Sequence, residues 1–274
     1  MIGYIRKDNH FDILDKLLCK TIKSNYENAI EYKSVKFNKK LLKILMKDNI
    51  KTVVIAKKDK AEKEFINMLY ANNINILNGR NLFKHLLPEI IEYLSDKVEI
   101  TKEMMEITIL VNDFSKINLF YINEILSRVK NVNIVTNNIS KFKKWSNDMY
   151  NKQAIVIPIM NNKNKSLKNK NYIINIDFPE EQLNKYKINR KAIIINIEEN
   201  ININIKGFEG INANSYIIKQ VDALQEFNYN EIYESYIINN QINEIRRKIE
   251  NDKVKIIYLI GKNGIIDNSE YKNL

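Results

Sequence analysis

The chain has 274 residues, 45% of them hydrophobic and 28% charged. That composition belongs to a globular protein and excludes a disordered or collagen-like chain. The formal net charge is +11, but Lys outnumbers Arg 38 to 6, and the excess is concentrated in one place. Between Lys130 and Lys170 nine lysines face a single acid, Asp148. Nucleic acid is not the expected partner, because no reader motif accompanies these lysines and Arg is scarce. No apolar run approaches the roughly 18–20 residues that cross a bilayer. The start, Met1-Ile-Gly-Tyr-Ile-Arg6, lacks the features of a secretory signal. With a single cysteine, Cys19, no internal disulfide can form. A cytoplasmic location is therefore expected, with no membrane partner.

Short β-branched runs alternate with amphipathic stretches, the pattern of βαβ units around a mainly parallel sheet. In the first part a strand is expected at Ile2–Arg6 and a helix over Phe11–Ser24, with Leu14, Leu17, Leu18 and Ile22 on its apolar face. Cys19 falls among these and reads as core packing. His10-Phe11-Asp12 reads as the helix entry. A strand near Ala29–Val35, a helix at Lys39–Lys47, a strand at Thr52–Ala56 and a helix at Lys60–Ala71 follow. Ile74–Leu77 is a short strand ended by Asn78-Gly79, and Asn81–Ser95 is a helix with Pro88 as a kink. His85, beside Leu86 and Leu87, reads as a partly buried neutral imidazole.

The second part has strands at Ile107–Val111, Val132–Thr136, Ala154–Ile159, Tyr172–Ile176 and Ala192–Ile197. Helices lie between them at Ile117–Val129, Lys141–Tyr150 and Glu180–Tyr186. Four strands are continuously apolar, so both faces of their sheet should be covered. Asn200–Gly210 reads as a loop or edge strand, Val221–Ile249 as one or two helices, Val254–Ile260 as a strand, and Asn263-Gly264 as a tight turn. Arg246-Arg247-Lys248 sits at a helix end, where cations favour the negative pole.

The expected fold is α/β in two lobes. An N-terminal α/β domain occupies 1–100, and a parallel-sheet domain follows at 101–220. A C-terminal segment of helices and a strand at 221–274 closes the structure. One turn has the chemistry to hold an anion, and another resembles a phosphate loop only superficially. Gly79-Arg80-Asn81 offers backbone amides and a guanidinium at a helix start. Gly261-Lys262-Asn263-Gly264 lacks the Lys-Ser/Thr ending of a phosphate loop. Asp177 before Pro179 and Glu180 reads as a helix cap. Neither His10 nor His85 has a second ligand at metal spacing, so no metal is expected.

The segments Ile-Thr-Ile-Leu-Val-Asn-Asp (107–113), Asn-Ile-Val-Thr-Asn-Asn (133–138), Tyr-Ile-Ile-Asn-Ile-Asp-Phe-Pro (172–179) and Lys-Ala-Ile-Ile-Ile-Asn-Ile (191–197) share their order with a known family. In these pieces the chain resembles the cofactor domain of shikimate dehydrogenase-like NAD(P)-binding proteins. The resemblance implies a Rossmann-like three-layer domain. It also implies a site with Asn137, Asn138, Lys141 and Lys144 around an adenosine phosphate and Asn175 and Asp177 beside a nicotinamide. In that reading NADP is the cofactor.

The glycine fingerprint that such a site needs is missing. The turn after the first strand reads Val111-Asn-Asp-Phe-Ser-Lys-Ile-Asn118, with no glycine for the close approach of a pyrophosphate. Asp113 would set a carboxylate against two phosphates, and Phe114 would fill their space. The family's catalytic Lys-Asp pair has only Lys57-Lys58-Asp59-Lys60 as a counterpart. The sequence therefore favours a non-catalytic or regulatory protein with no cofactor, binding a small ligand or a protein, with a homodimer as one assembly it allows. An altered NADP-dependent oxidoreductase and a nucleic-acid-binding protein are the alternatives.

Overall fold

The computed structural model describes residues 1–8, 10–25, 29–57, 59, 61–219 and 227–272. Lys58 and Lys60, and the 221–226 part of the expected C-terminal helices, lie outside the described residues. The chain runs β1 (Ile2–Lys7), α1 (Ile13–Leu17), β2 (Thr21–Asn25), β3 (Ala29–Ser34), α2 (Lys39–Lys47), β4 (Thr52–Ile55), α3 (Lys63–Ala71), β5 (Asn75–Ile76), α4 (Arg80–His85) and α5 (Leu87–Val98). It continues with β6 (Glu106–Leu110), α6 (Lys116–Leu126), β7 (Asn131–Val135), α7 (Ile139–Gln153), β8 (Ile159–Met160), β9 (Tyr172–Asn175), α8 (Glu180–Leu183) and β10 (Ile193–Asn196). β11 (Ile211–Ile218), α9 (Tyr229–Ile237), α10 (Ile242–Asn251), β12 (Ile256–Gly261), β13 (Gly264–Ile265) and α11 (Asn268–Lys272) complete it.

Two compact units share this chain: Met1–Leu82 with Gln220–Asn240, and Phe83–Lys219 with Gln241–Leu274. The division thus falls at Leu82/Phe83 rather than near residue 100, since α5 packs against α6 and β12 of the second unit. The segment after 220 is shared out, with α9 packing on β4 and α10 counted with the second unit.

The first unit holds a sheet of order β2-β3-β1-β4-β5, parallel except for β2, which runs antiparallel to β3. Alternation along β1 sends Ile5 to one face, with Tyr32, Leu41, Leu45 and Phe65. Ile2 and Tyr4 go to the other face, with Val54, Leu77, Phe227 and Ile232. The Tyr4 hydroxyl is 2.8 Å from that of Ser235, which fixes α9 on the second face.

One expectation fails here. The helix of Phe11–Ser24 stops after five residues at α1, and Thr21–Asn25 is the edge strand β2. Asp12 caps α1 by accepting the Asp15 amide at 2.7 Å, while Cys19 adopts φ 47°, a left-handed conformation that ends the turn. Leu14, Leu17 and Leu18 are consequently exposed, and Cys19 is not a core residue. The expected Asn81–Ser95 helix is broken at Leu86, and Pro88 stands in the first turn of α5, where its missing N–H costs nothing.

The second unit holds a sheet of order β13-β12-β11-β10-β9-β6-β7-β8. From β8 to β11 all neighbours are parallel, whereas β12 and β13 are antiparallel. Taken in chain order from β6, the parallel strands read 3-2-1-4-5-6, the doubly wound order of a Rossmann-like domain. β6, β9 and β10 are buried nearly throughout, as a sheet between two helical layers requires. The strand expected at Ala154–Ile159 is only β8, because α7 continues to Gln153 and Ala154 takes φ 56° as its cap. β11 follows directly on the Asn200–Gly210 stretch read as a loop or edge strand, and no strand was expected at its own position. Gly264, at φ 112°, turns β12 into β13 as Asn263-Gly264 implied.

Arg246 is buried rather than lying at an exposed helix end. Its guanidinium grips Glu89 at 2.9 and 3.1 Å, donates to the His85 carbonyl at 3.1 Å and reaches Glu250 at 3.2 Å. Burial is the first influence on this group and works against its charge, but the surrounding carboxylates win and hold its pKa above the ordinary arginine value. His85 beside it is buried against the Tyr121 hydroxyl, and burial followed by the charges of Lys84 and Arg246 pushes its pKa down to about 4. Arg246→Met leaves Glu89 charged and unmatched, so it should cost about 3–5 kcal/mol. Urea unfolding monitored by circular dichroism would measure this, and a loss under about 1 kcal/mol would contradict it.

Candidate functional site

In a doubly wound sheet the ligand crevice lies beyond the carboxyl ends of the strands, where connections leave in opposite directions. In the second unit that point is between β6 and β9. The turn after β6 carries Asn112 and Asp113, and the turn after β9 carries Asp177. The Asp177 carboxylate accepts the Asn112 amide with one oxygen and the Asp113 amide with the other, each at 2.6 Å. Two amides of the turn between β6 and α6 are thus taken by a carboxylate of the chain itself.

Neighbouring groups are committed as well. The Asn112 side chain accepts the Asn137 amide at 2.9 Å and donates to Gln182 at 2.9 Å, tying together the turns after β6 and β7 and the helix α8. Asn118 donates to the Asp113 carbonyl at 3.0 Å and its carboxylate at 3.2 Å, while Ser115 accepts the Asn118 amide. Phe114 packs edge-on against Phe142, with ring centres 5.0 Å apart.

Burial dominates the Asp177 carboxyl and raises its pKa above the ordinary aspartate value; the two amides oppose this, and the charges of Glu198 and Asp113 add to it. Glu198 itself is paired with Lys84 at 2.7 Å.

The residues expected around a dinucleotide are divided between framework and surface. Asn175 uses both ends of its amide, accepting from the Phe178 N–H at 2.8 Å and donating to the Phe178 carbonyl and to Asn196 at 3.0 Å each. Asn196 donates in turn to Asn212 at 2.8 Å and Asn214 at 2.9 Å, and both of these hold the backbone of Ile201. An asparagine ladder therefore runs from the carboxyl ends of β9 and β10 to the first half of β11. Asn138 stands at the N-cap of α7, its amide donating to Thr136 at 2.9 Å, and the Asn137 carboxamide accepts from Asn161 at 3.3 Å. Lys141 and Lys144 are exposed on α7. Trp145 is half-buried and edge-on to Phe142, with ring centres 6.4 Å apart.

A bound dinucleotide would need amides and space that these contacts occupy. The residues present do not fit its pyrophosphate: the two amides have a carboxylate acceptor, Asp113 adds a second negative charge, and a phenylalanine stands where glycine is required.

The first unit repeats the device. Glu234 of α9, 2% exposed, accepts the Gly79 amide at 2.8 Å and the Leu82 amide at 3.2 Å. The acceptor at the Gly79-Arg80 turn is thus internal, and the Arg80 amide donates to Asn78 at 3.0 Å. Burial raises the Glu234 pKa, against the pull of the Gly79, Leu82, Asn81 and Asn78 amides. One turn earlier on the same helix, burial pushes Glu231 up to about 7; Asn228 and Lys57 oppose the shift and Glu234 reinforces it. Lys57 is exposed, and Asp59 accepts the Lys7 amide at 2.5 Å, so the candidate Lys-Asp pair contributes a loop tie. Among the described residues no three side chains of metal-binding type converge.

Sequence reasoning missed Asn112, Glu234 and the ladder partners Asn196, Asn212 and Asn214. Asn175 and Asn196 did leave a signal, asparagine at the ends of apolar strands. Glu234 left none, because 152 residues separate it from the Leu82 amide it accepts.

No family model matches the chain. No curated protein matches it either. Among solved structures, the crystal structure of L-tryptophan dehydrogenase from Nostoc punctiforme is similar at 8% identity, over 91% of this chain and 78% of that one, with a TM-score of 0.29. Similarity at that level carries no argument, and the Rossmann-like assignment stands on the strand order of the second unit.

Two measurements test these carboxylates. Asp177→Ala strips the acceptor from two amides in a partly wet turn and should cost about 1–2 kcal/mol at neutral pH in urea unfolding. Glu231 binds its proton more tightly folded than unfolded, so its stabilising contribution is full below the ordinary glutamate pKa and is lost as pH rises to about 7. Glu231→Gln should therefore match the parent near pH 5 and exceed it at pH 8 by on the order of 1–2 kcal/mol, allowing for partial solvent screening. An equal difference at both pH values would refute the assignment.

Proposed function

We propose that this chain is a non-catalytic or regulatory protein on a Rossmann-like scaffold, which binds a small ligand or a protein partner and does not use a nicotinamide dinucleotide. One observation carries the reading: the Asp177 carboxylate sits 2.6 Å from both the Asn112 and Asp113 amides. In an enzyme of the scaffold's usual kind these donors belong to the cofactor's pyrophosphate. Here a half-buried carboxylate satisfies them, and an arriving phosphate would meet Asp113 and Asp177 together. The scaffold does not dictate chemistry, since function resides in the site rather than in the fold.

The finer resemblance to shikimate dehydrogenase-like enzymes supplies the opposing reading. It places NADP against Asn137, Asn138, Lys141 and Lys144, with Asn175 and Asp177 beside the nicotinamide. Against it stand the full commitment of Asn175 within the asparagine ladder and of Asp177 on the backbone. Nucleic-acid binding through the Lys130–Lys170 stretch draws no support from Trp145, which is half-buried and edge-packed instead of offering an open stacking face.

A thermal-shift titration with NAD⁺, NADH, NADP⁺ and NADPH tests the proposal. A ligand at 100 times its dissociation constant stabilises a fold by about 2.7 kcal/mol, which for units of this size raises the melting temperature by roughly 5–10 °C. The expected result is a shift below about 1 °C with all four, at low and at physiological salt. A salt-resistant shift with NADP⁺ or NADPH, accompanied by dinucleotide-dependent turnover of a hydroxy or keto acid, would overturn it.

A further inference from the structure

Among the described residues, four of the six most exposed large apolar side chains lie together in the first unit. Ile13, Leu14, Leu17 and Leu18 are 77%, 68%, 75% and 65% exposed, and α1 has no buried residue. Scattered exposed leucines need no explanation, but a contiguous set on one helical turn marks a surface that meets something apolar. Exposure at this level also describes the shape. These side chains protrude and do not line a groove, so their complement is a yielding apolar phase and not a preformed ridge.

The charge around them is one-sided. Between Phe11 and Leu45 eight lysines stand against four acids. Two of those acids are locally engaged, Asp12 as the α1 cap and Asp15 with Lys20 at 2.9 Å. Lys40 donates to the Leu18 carbonyl at 2.6 Å, which sets the start of α2 directly against the end of α1. Lys39, Lys40 and Lys43 are exposed on α2, and Lys16 is exposed on α1 itself. A second copy meeting this face through a two-fold axis would set lysine against lysine. An anionic surface would be attracted, and lysine stems let the ammonium groups stay among headgroups while apolar tips go deeper.

We infer that α1 and the lysines of α2 form a peripheral docking surface for an anionic lipid bilayer, with Ile13, Leu14, Leu17 and Leu18 entering the interface. This goes beyond the proposed function and does not rest on it. The sequence expectation of no membrane partner rested on the lack of a spanning apolar run, and a surface helix needs none. No helix among the described residues is long and apolar enough to cross a membrane, so the attachment is to one surface.

Co-sedimentation of the full chain with vesicles tests the inference, using phosphatidylcholine alone and phosphatidylcholine containing about a third phosphatidylglycerol. Binding is expected only to the second and should weaken at physiological salt. The double variant Leu14→Asn, Leu17→Asn leaves net charge unchanged and alters exposed positions only. It should lower the partition coefficient at least about tenfold with no change in melting temperature. The triple variant Lys16→Gln, Lys39→Gln, Lys43→Gln should also bind weakly, whereas Lys163→Gln, Lys165→Gln, Lys168→Gln, with the same change in net charge, should bind as the parent does. Absence of vesicle binding, equal losses in the two triple variants, or undiminished binding by the leucine variant would each overturn the inference. So would a vesicle-free dimer, seen by sedimentation equilibrium, that the leucine variant dissolves.

Discussion

A strand that turns into a helix leaves backbone amides pointing past its carboxyl end, and those amides must find an acceptor. In both units of this chain the acceptor is an internal carboxylate. Asp177 takes the amides after β6, and Glu234 takes those at the start of α4. Each comes from a different part of the chain than the amides it holds, so each ties the unit together over a long sequence separation. Each is also raised in pKa by burial, which measures the cost of moving a charge out of water; the amides return part of that cost.

The same logic extends along the second sheet. β9 and β10 end in Asn175 and Asn196, which are buried away from bulk water, and these bond to each other, to Asn212 and Asn214 of β11 and, through those two, to the Ile201 backbone. A satisfied network of this kind fixes register and turn geometry and leaves few donors for a guest. Arg246 with Glu89, His85 and Glu250 does similar work around α5 and α10. A Rossmann-like sheet whose switch point is knit together by its own side chains differs from one whose switch point is bare backbone awaiting phosphate.

The sheet of the second unit was legible in the sequence because parallel, doubly covered strands read as apolar runs regardless of their neighbours. Ile107–Val111, Val132–Thr136, Tyr172–Ile176 and Ala192–Ile197 fall on β6, β7, β9 and β10 within a residue or two. The missing glycines after β6 were legible for the same local reason. The segment at Phe11–Ser24 was not, since leucines spaced three and four apart suit a buried helix equally with an exposed turn followed by a strand. Pairing of Thr21–Asn25 with β3 decided between them, and that contact is not local.

By itself, then, the sequence determined the class of the fold, the positions of β6, β7, β9 and β10 and the absence of a glycine phosphate loop, all of which depend on residues close together in the chain. Only the tertiary structure decided where the units divide, that Asp177 and Glu234 fill the two anion positions, that Arg246 is buried, and that the leucines of α1 are exposed. Those outcomes depend on which distant groups arrive at a given amide, guanidinium or methyl group. Local periodicity carries no record of that arrival.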